Sequence, residues 1–334
     1  MIINITLFFF LFIALLYFGK FILLPFFLAL FIYVVIKALS EKLLHFFNKS
    51  LGLKIHKIAA IFVMFTTIFS IFYFFWIILK FNLLGVKENA FNYQNNLEIF
   101  LDIYLSSPLG SFIPLDNFLN SMDLMKIFSK ILNNLSNFAG NFSFIVIFLI
   151  FFIIEEKYFI KKINLIFQKK NFEILKKINS DIFYYFQLKT FTSTITGILT
   201  FMVLFFLNND LAPTFGVFAF LLNFIPFIGS LLSVVIPFIF SMIQFLNFLE
   251  PILTLLLLLI TQVFIGNILE PKLMGNTLNI SPLVMIIFLA LMGKIWGVAG
   301  MFLSVPMLVV ILIILSRFQK TKKIAILLSD KGDS

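Results

Sequence analysis

The sequence predicts an all-α, polytopic integral membrane protein of about eight transmembrane helices, with a re-entrant segment and helices broken by proline and glycine. Three observations predict this class. The 334 residues are 62% hydrophobic and 12% charged, whereas a soluble domain is typically about 45–50% apolar and about 25% charged. The mean hydropathy is +1.12. Apolar runs of spanning length recur along the chain, and basic residues cluster between them.

Eight apolar runs approach or exceed the roughly 20 mainly apolar residues that a helix needs to cross a bilayer. The predicted spans are 1–18, 21–36, 58–79, 142–154, 191–207, 214–248, 252–268 and 298–315. The first run lacks a basic start and a small-residue cleavage site, so it predicts a span rather than a cleaved signal peptide. Gly19 and Lys20 form a minimal turn after it, which predicts an N-terminal helical hairpin.

Two stretches in the C-terminal half allow alternative topologies. The run 214–248 is longer than one span and is broken by Pro226 and Pro237, whereas 282–292 is too short to cross. We expect 282–292 to be re-entrant. The alternative is that 214–248 folds back on itself and that 282–294 crosses.

The basic residues predict the orientation. Lysine and arginine accumulate in the segments 37–57, 155–190 and 317–334, while 80–140 is nearly neutral. Because cytoplasmic loops carry the excess of basic residues, the first three segments and both termini should be cytoplasmic, and 80–140 should be external. The net charge of +10 therefore indicates contact with the lipid bilayer and argues against a nucleic-acid partner.

The spans and loops divide the chain into six predicted regions. These are three spans in 1–79, an external amphipathic segment in 80–140, a span in 141–154, a cytoplasmic amphipathic segment in 155–190, a core of spans with broken helices in 191–316, and a basic tail in 317–334.

Both segments outside the bilayer show helical periodicity. In the external segment the apolar stripes, which include Tyr93, Leu97 and Phe100, should cover the membrane surface, the spans or a neighbouring subunit. In the cytoplasmic segment the pattern predicts either a membrane-surface or regulatory helix, or a lysine-rich anchor.

Enzymatic signatures are absent from the sequence. It has no cysteine, no metalloprotease or nucleophile-elbow motif and no phosphate-binding loop. The two histidines, His45 and His56, lie in one basic loop without the carboxylates of a metal site. We therefore expect no catalysis, no cofactor and no metal site.

The first broken helix lies at Asn223, Pro226, Gly229 and Ser230. Proline removes a backbone donor and clashes with the preceding turn, while glycine permits unusual conformations. In lipid, each freed backbone group needs a partner, so such a break is packed in protein or lines a polar cavity. Asn223, Ser230 and Ser233 could supply those partners. Interrupted helices of this kind mark binding sites in transporters.

The second candidate break carries Asn267, Glu270, Pro271, Lys272 and Gly275 at the end of an apolar run. Ionisable groups within a membrane are costly unless they are paired or hydrated, which makes Glu270 a candidate carrier of a proton or cation, with Lys272 as its partner. The alternative is an interfacial loop in which both charges are wet.

The third candidate break carries Gly293, Lys294, Gly297 and Gly300. Gly293 and Gly297 form a G-x-x-x-G pattern, which permits close helix contact. Lys294 either extends its amine to the interface or contacts a substrate.

These blocks resemble the AI-2E, or autoinducer-2 exporter, family of bacterial membrane proteins. The resemblance is carried by the run 221–229 with Pro237, by 270–275 with 281–283, and by 297–300 with 305–306. The order and spacing of the blocks agree over nearly the whole chain, and the external segment is the least similar part.

The resemblance implies a multi-pass permease of the bacterial inner membrane that exports a small polar solute such as autoinducer-2, and it leaves a homo-oligomer open. Sodium (lithium)/proton antiport, also linked to the family, is one alternative function. A non-transporting membrane scaffold is the other.

Overall fold

All regular elements in the described part of the chain are helical. The computed structural model describes residues 11, 13–50, 52, 56–106, 142–158, 161–162, 169–274, 280–317, 321–330 and 332. The helices are α1 (13–18), α2 (Lys20–Ser50), α3 (Lys57–Glu88), α4 (Ala90–Ser106), α5 (142–158), α6 (Lys169–Phe206), α7 (Ala212–Leu222), α8 (Ile228–Phe245), α9 (Leu249–Val263), α10 (Glu270–Met274), α11 (Pro282–Trp296), α12 (Val298–Arg317) and α13 (Lys322–Leu328). A π-helical turn, Phe264–Leu269, joins α9 to α10.

Six stretches are long and apolar enough to cross a membrane, which confirms an all-helical polytopic membrane protein. They are Lys20–Lys49, Lys57–Asn82, Ile178–Phe206, Ile228–Phe245, Leu249–Leu273 and Val298–Ser316. Two shorter apolar helices, α7 and α11, accompany them. The predicted span 142–154 lies within α5, whereas most of 1–18 lies outside the described residues.

Two predicted interruptions differ from the structure. Pro237 lies inside α8, so the run 214–248 is divided once, between α7 and α8 at Pro226. Of the break predicted at 267–276, residues 267–274 are helical and include the end of the π-helical turn, while 275 and 276 lie outside the described residues. Membrane helices tolerate proline because local π adjustments and neighbouring groups satisfy the freed backbone atoms.

The described residues form two compact units, of which the first comprises parts of 1–68, 139–188 and 274–334. In it, α11 and α12 form a hairpin whose turn is Gly297, with φ of +68°. The hairpin is tight because a β-carbon on Gly293 would lie 2.6 Å from the Met301 methyl carbon, and one on Gly300 would lie 2.2 Å from the Met292 carbonyl oxygen. Of the three glycines predicted to pack helices, two therefore lie at the contact and Gly297 makes the turn.

In the same unit, helices from the N-terminal and C-terminal parts of the chain pack together. Helix α2 packs against α11 and α12. Gly19 lies between α1 and α2, where it donates to the Leu15 carbonyl and accepts from the Leu23 N–H. The buried indole of Trp296 donates to the Leu16 carbonyl at 2.9 Å.

The second unit comprises parts of 69–138 and 189–273. Its apolar core is formed by Tyr93, Leu97, Leu204, Leu211, Ala212, Phe215, Val234, Phe240, Ile243 and Leu258. Two of these residues belong to α4, which packs against α8. The apolar stripe of α4 is thus covered by the chain's own helices, while the second predicted helix of the external segment lies outside the described residues.

Helices α6 and α7 approach closely in this unit through two glycines. A β-carbon on Gly197 would lie 2.8 Å from the Gly216 carbonyl oxygen, and one on Gly216 would lie 2.8 Å from the Phe201 β-carbon. This contact places α7 directly beside the polar face of α6 described below.

Candidate functional site

One face of α6 carries a row of buried polar side chains. Thr192, Ser193, Thr196 and Thr200 follow Lys189 by three, four, seven and eleven residues, which is the spacing of a single helix face. The five are between 0% and 5% exposed. We call these five residues the polar row. Burying a polar group without a hydrogen bond is unfavourable, so each of these side chains needs a partner.

Lys189 begins the polar row with an ion pair to Glu270, the first residue of α10. The lysine side chain is 6% exposed and the glutamate side chain 17% exposed. Removal of one partner from a buried pair leaves the other charge uncompensated, which is strongly unfavourable. The ion pair joins α6 to α10. Because its two charges are opposite, it adds no net charge to the polar row.

The π-helical turn precedes this glutamate. The Glu270 N–H donates to the Ile265 carbonyl, five residues earlier, and Pro271, which has no N–H, follows directly. A π-helical turn adds one residue to the helix and is frequent at functional sites. Here it immediately precedes the residue that meets Lys189.

The partner expected for Glu270 was Lys272, and the structure differs. Lys272 is exposed, as are Asn267 and Pro271. Side chains two residues apart on a helix do not face each other, so Glu270 and Lys272 point to different sides of α10. Lys294 is exposed in the first unit, and Gly275 lies outside the described residues.

Asn223 brings the broken helix to the polar row. It follows the last residue of α7, is 6% exposed, and donates through Nδ2 to the Ser193 hydroxyl at 3.1 Å. Asn223 was predicted from the sequence as part of a transport pathway, and Ser193 was not. The structure thus places the amide of the break against the middle of the polar row.

The break itself is a strained turn. Phe227 has φ of +60° and ψ of −59°, and the Ile228 N–H donates to the Pro226 carbonyl at 2.6 Å, which together define a γ-turn that L-residues rarely adopt. A β-carbon on Gly229 would lie 1.8 Å from the Leu222 carbonyl oxygen, so glycine alone fits there.

Two serines satisfy backbone carbonyls near this turn, as the sequence suggested. The Ser230 hydroxyl donates to the Phe227 carbonyl at 2.9 Å, and the Ser233 hydroxyl donates to the Gly229 carbonyl at 2.7 Å. Because the serines satisfy these carbonyls, the Asn223 amide is not needed there and contacts the polar row instead.

One hydroxyl of the row and one on α7 beside it have no hydrogen-bond partner among the described residues. Thr196 donates to the Thr192 carbonyl at 2.9 Å, the usual arrangement within a helix. The hydroxyls of Thr200 and Thr214 are buried and make no such bond. An unsatisfied buried hydroxyl costs roughly 1–3 kcal/mol, so each is a position where a solute or water would gain a hydrogen bond.

A second polar cluster lies beyond the C-terminal end of α6. The Asn209 amide donates to the Ser241 hydroxyl at 3.0 Å, and that hydroxyl lies 3.2 Å from the Thr254 hydroxyl. Beside it, the Tyr93 hydroxyl donates to the exposed carboxylate of Asp210. Burial, together with this hydrogen bond and the charge of Asp210, raises the pKa of Tyr93 above its ordinary value.

The sequence contains a periodic pattern of polar residues that indicates the polar row, but the assignment of Lys189 to a basic loop obscured it. Lys189 was assigned to the cytoplasmic segment 155–190, but α6 runs without interruption from Lys169 to Phe206 and its apolar stretch begins at Ile178. The hydroxyl residues after Lys189 recur every three or four positions inside an otherwise apolar span. That periodicity, applied to polar residues, would have found the row.

No metal centre accompanies these groups in the described part of the chain. Among those residues, no group of three or more histidine, cysteine, aspartate or glutamate side chains is placed to hold a metal ion.

Comparisons with known proteins identify the family. The model for AI-2E family transporters matches residues 5–320. The AI-2 transport protein TqsA of Escherichia coli (strain K12) is 28% identical over 316 residues, which cover 92% of this chain and 90% of that protein. A predicted transport protein of Borreliella burgdorferi is 30% identical over 241 residues, or 71% of this chain and 67% of that protein. A predicted transport protein of E. coli K12, YhhT, is 31% identical over 218 residues, or 64% and 62% of the two chains. The resemblance found in the sequence is therefore confirmed: the chain belongs to the AI-2E transporter family of multi-pass membrane proteins.

Proposed function

We propose that this transporter exports a small polar solute across the bacterial inner membrane and that the solute passes along the polar row of α6. The buried hydroxyls of the row are the observation that carries this proposal. They extend from Lys189 to Thr200, about 16 Å of helix, which is roughly half the thickness of the hydrocarbon core. Thr192 and Thr196 donate to backbone carbonyls of α6, and Ser193 accepts from Asn223. The hydroxyls of Thr200 and Thr214 have no partner among the described residues, and a polar solute would supply one.

The chemistry of the row favours a neutral, hydrogen-bonding solute. Lys189 and Glu270 cancel each other's charge, and the remaining groups are the hydroxyls of α6, the Asn223 amide and the free hydroxyl of Thr214. Such a lining supports an autoinducer-2-like solute, the class named for the relative TqsA. The broken helix at Pro226 and Gly229 would let α7 and α8 move separately around the row.

Substitution of single hydroxyls tests the pathway. Thr200→Val removes one hydroxyl and nearly conserves the side-chain volume. We expect a roughly 2- to 10-fold fall in solute efflux, the value of one hydrogen bond, from cells that overexpress the protein. Thermal stability in detergent should be unchanged or higher, because an unsatisfied buried hydroxyl is removed.

Thr194 provides the matched control. It lies on the same helix but is exposed, and its hydroxyl donates to the Thr190 carbonyl at 2.7 Å. Thr194→Val should leave efflux unchanged. Equal efflux for wild type, Thr200→Val and Thr214→Val would overturn the assignment of the pathway to this row.

Sodium (lithium)/proton antiport is the second candidate, and the buried pair of Lys189 and Glu270 favours it. Ionisable groups within membrane spans commonly mark ion and proton pathways. Everted vesicles with a pH-sensitive dye would show sodium- or lithium-dependent dequenching, and Glu270→Gln should abolish it. Unchanged dequenching in Glu270→Gln would exclude Glu270 as the coupling group, and absence of both activities would favour a membrane scaffold.

A further inference from the structure

We propose that Tyr93 and Asp210 form a latch that closes one end of the polar row, so that α4 controls access to it. This inference rests on the proposed transport along the row. It assigns a role to the external segment, the part of the chain that the family resemblance leaves least explained.

Tyr93 is held by both its ring and its hydroxyl. It is 6% exposed, and its ring lies against Phe240 of α8 with centroids 5.2 Å apart. One turn further along α4, Leu97 is 1% exposed in the same apolar core. Helix α4 is therefore inserted into this core and does not merely lie on its surface.

The latch lies just beyond the end of the polar row. Thr200 is six residues, about 9 Å, from the last residue of α6, and Asp210 follows in the connection to α7. The Asp210 N–H donates to the Gln244 side chain at 3.0 Å, and Gln244 donates to the Asn208 carbonyl at 2.8 Å. Asp210 is thereby fixed to the end of α8, and Tyr93 attaches α4 to this fixed point.

The polar contact between Tyr93 and Asp210 is of a kind that can break and re-form. It is one hydrogen bond to an exposed carboxylate, in contrast with the buried contacts of Asn209, Ser241 and Thr254 beside it. Helix α4 is not one of the spanning helices, and one residue, Asn89, separates it from α3. Release of α4 would withdraw Tyr93 and Leu97 from the apolar core, but it would not displace a spanning helix from the bilayer.

The lack of cysteine makes the latch directly testable. Thr200→Cys introduces the sole thiol, and its rate of reaction with a membrane-impermeant thiol reagent, added to intact cells, measures access to the row. Tyr93→Phe removes the hydroxyl and retains the ring. We expect it to increase the labelling rate of Thr200→Cys roughly fivefold or more, since it deletes one charge-assisted hydrogen bond. Asp210→Ala should do the same.

Tyr73→Phe is the matched control, because Tyr73 is an exposed tyrosine of α3. It should leave the labelling rate unchanged, and thermal unfolding of each variant in detergent checks that the fold is retained. Equal labelling in the wild-type, Tyr93→Phe and Asp210→Ala backgrounds would overturn the latch. If labelling rises but Thr200→Val transports normally, the latch stands and the proposed solute pathway fails, so the two proposals fail separately.

Discussion

Glu156 pairs with the two lysines that bound the basic segment 37–57 in the first unit. Its carboxylate accepts from Lys37 at 2.8 Å and from Lys57 at 3.1 Å, and its side chain is 11% exposed. Burial would raise its pKa, but hydrogen bonds and charges from both lysines outweigh burial, so the pKa of Glu156 lies below its ordinary value. A residue at the end of α5 thus joins α2 and α3.

This lowered pKa predicts how stability depends on pH. A carboxylate whose pKa is lower in the folded state stabilises the protein fully above its unfolded pKa, about 4.3, and loses that effect as the pH falls through the folded value. Glu156→Gln should therefore lower stability by about 1.5–3 kcal/mol at pH 7, with the difference from wild type vanishing at low pH. Thermal unfolding in detergent between pH 7.5 and pH 3 measures both.

The neighbouring Glu155 is exposed and serves as the control. Glu155→Gln should change stability little and equally at all pH values. If Glu156→Gln and Glu155→Gln showed the same pH profile, the ion pairs would have no measurable role in stability.

Lys189 shows where residue-level prediction fails. A lysine next to an apolar run is normally a loop residue, because a buried lysine needs a partner to offset the loss of hydration. The partner, Glu270, lies 81 residues further along the chain, and its identity depends on how α6 meets α10. The sequence predicted Lys272, the nearest lysine, as the partner of Glu270, whereas the structure pairs Glu270 with Lys189.

At the scale of elements, the connection between α7 and α8 determines the geometry beside the polar row. The γ-turn at Phe227 reverses the backbone within a few residues, and Gly229 allows the first turn of α8 to touch the end of α7. The sequence located this break from Pro226 and Gly229. It could not distinguish Pro226 from Pro237, since both carry the same local signal.

Gly229→Ala tests the close approach. Its β-carbon would overlap the Leu222 carbonyl, which backbone movement must relieve, so we expect a loss of stability of about 1–3 kcal/mol or more, together with lower transport. Gly85→Ala is the control: Gly85 lies within α3 with no atom within 4 Å of an added β-carbon. Because alanine favours helix over glycine, that variant should be neutral or slightly more stable. A neutral Gly229→Ala would show that the turn is not constrained as described.

The π-helical turn explains why the second break was predicted where the chain stays helical. Asn267, Glu270 and Pro271 together favour termination of a helix. The turn instead changes the hydrogen-bond pattern before Pro271, which lacks a donor, and the helix continues to Met274. Sequence periodicity could not reveal this local change, because it depends on one hydrogen bond to Ile265.

At the scale of the whole molecule, composition alone was sufficient for the fold class. The apolar runs located Lys57–Asn82 and Val298–Ser316 to within three residues, whereas Lys20–Lys49 ends 13 residues later and Ile178–Phe206 begins 13 residues earlier than predicted. The sequence predicts too late a start for the span in α6, because Gln187 and Lys189 resemble loop residues. Both lie within α6, and their side chains contact other helices. The basic loops predict the orientation independently of these boundaries.

Single cysteines test that orientation. Lys49→Cys, in a predicted cytoplasmic loop, should react with an impermeant thiol reagent in everted vesicles but not in intact cells. Asn92→Cys, on α4, should react in intact cells. Both residues are exposed, so access is limited by sidedness alone. The opposite pattern would reverse the predicted topology.

The chain order of the two units has a consequence for biosynthesis. The second unit is complete once residue 273 has been made, whereas the first contains residues from 1–68 and from 274 onwards. At about 5–20 residues per second, α2 emerges roughly 10–50 s before its partners α11 and α12 exist. During that interval the Leu16 carbonyl lacks the Trp296 indole, and the packing face of α2 is open to lipid or to an insertion factor. Helix α5, which is complete at residue 158, pairs with α2 through Lys37 and Glu156, so it is the neighbour that can hold α2 until α11 and α12 follow.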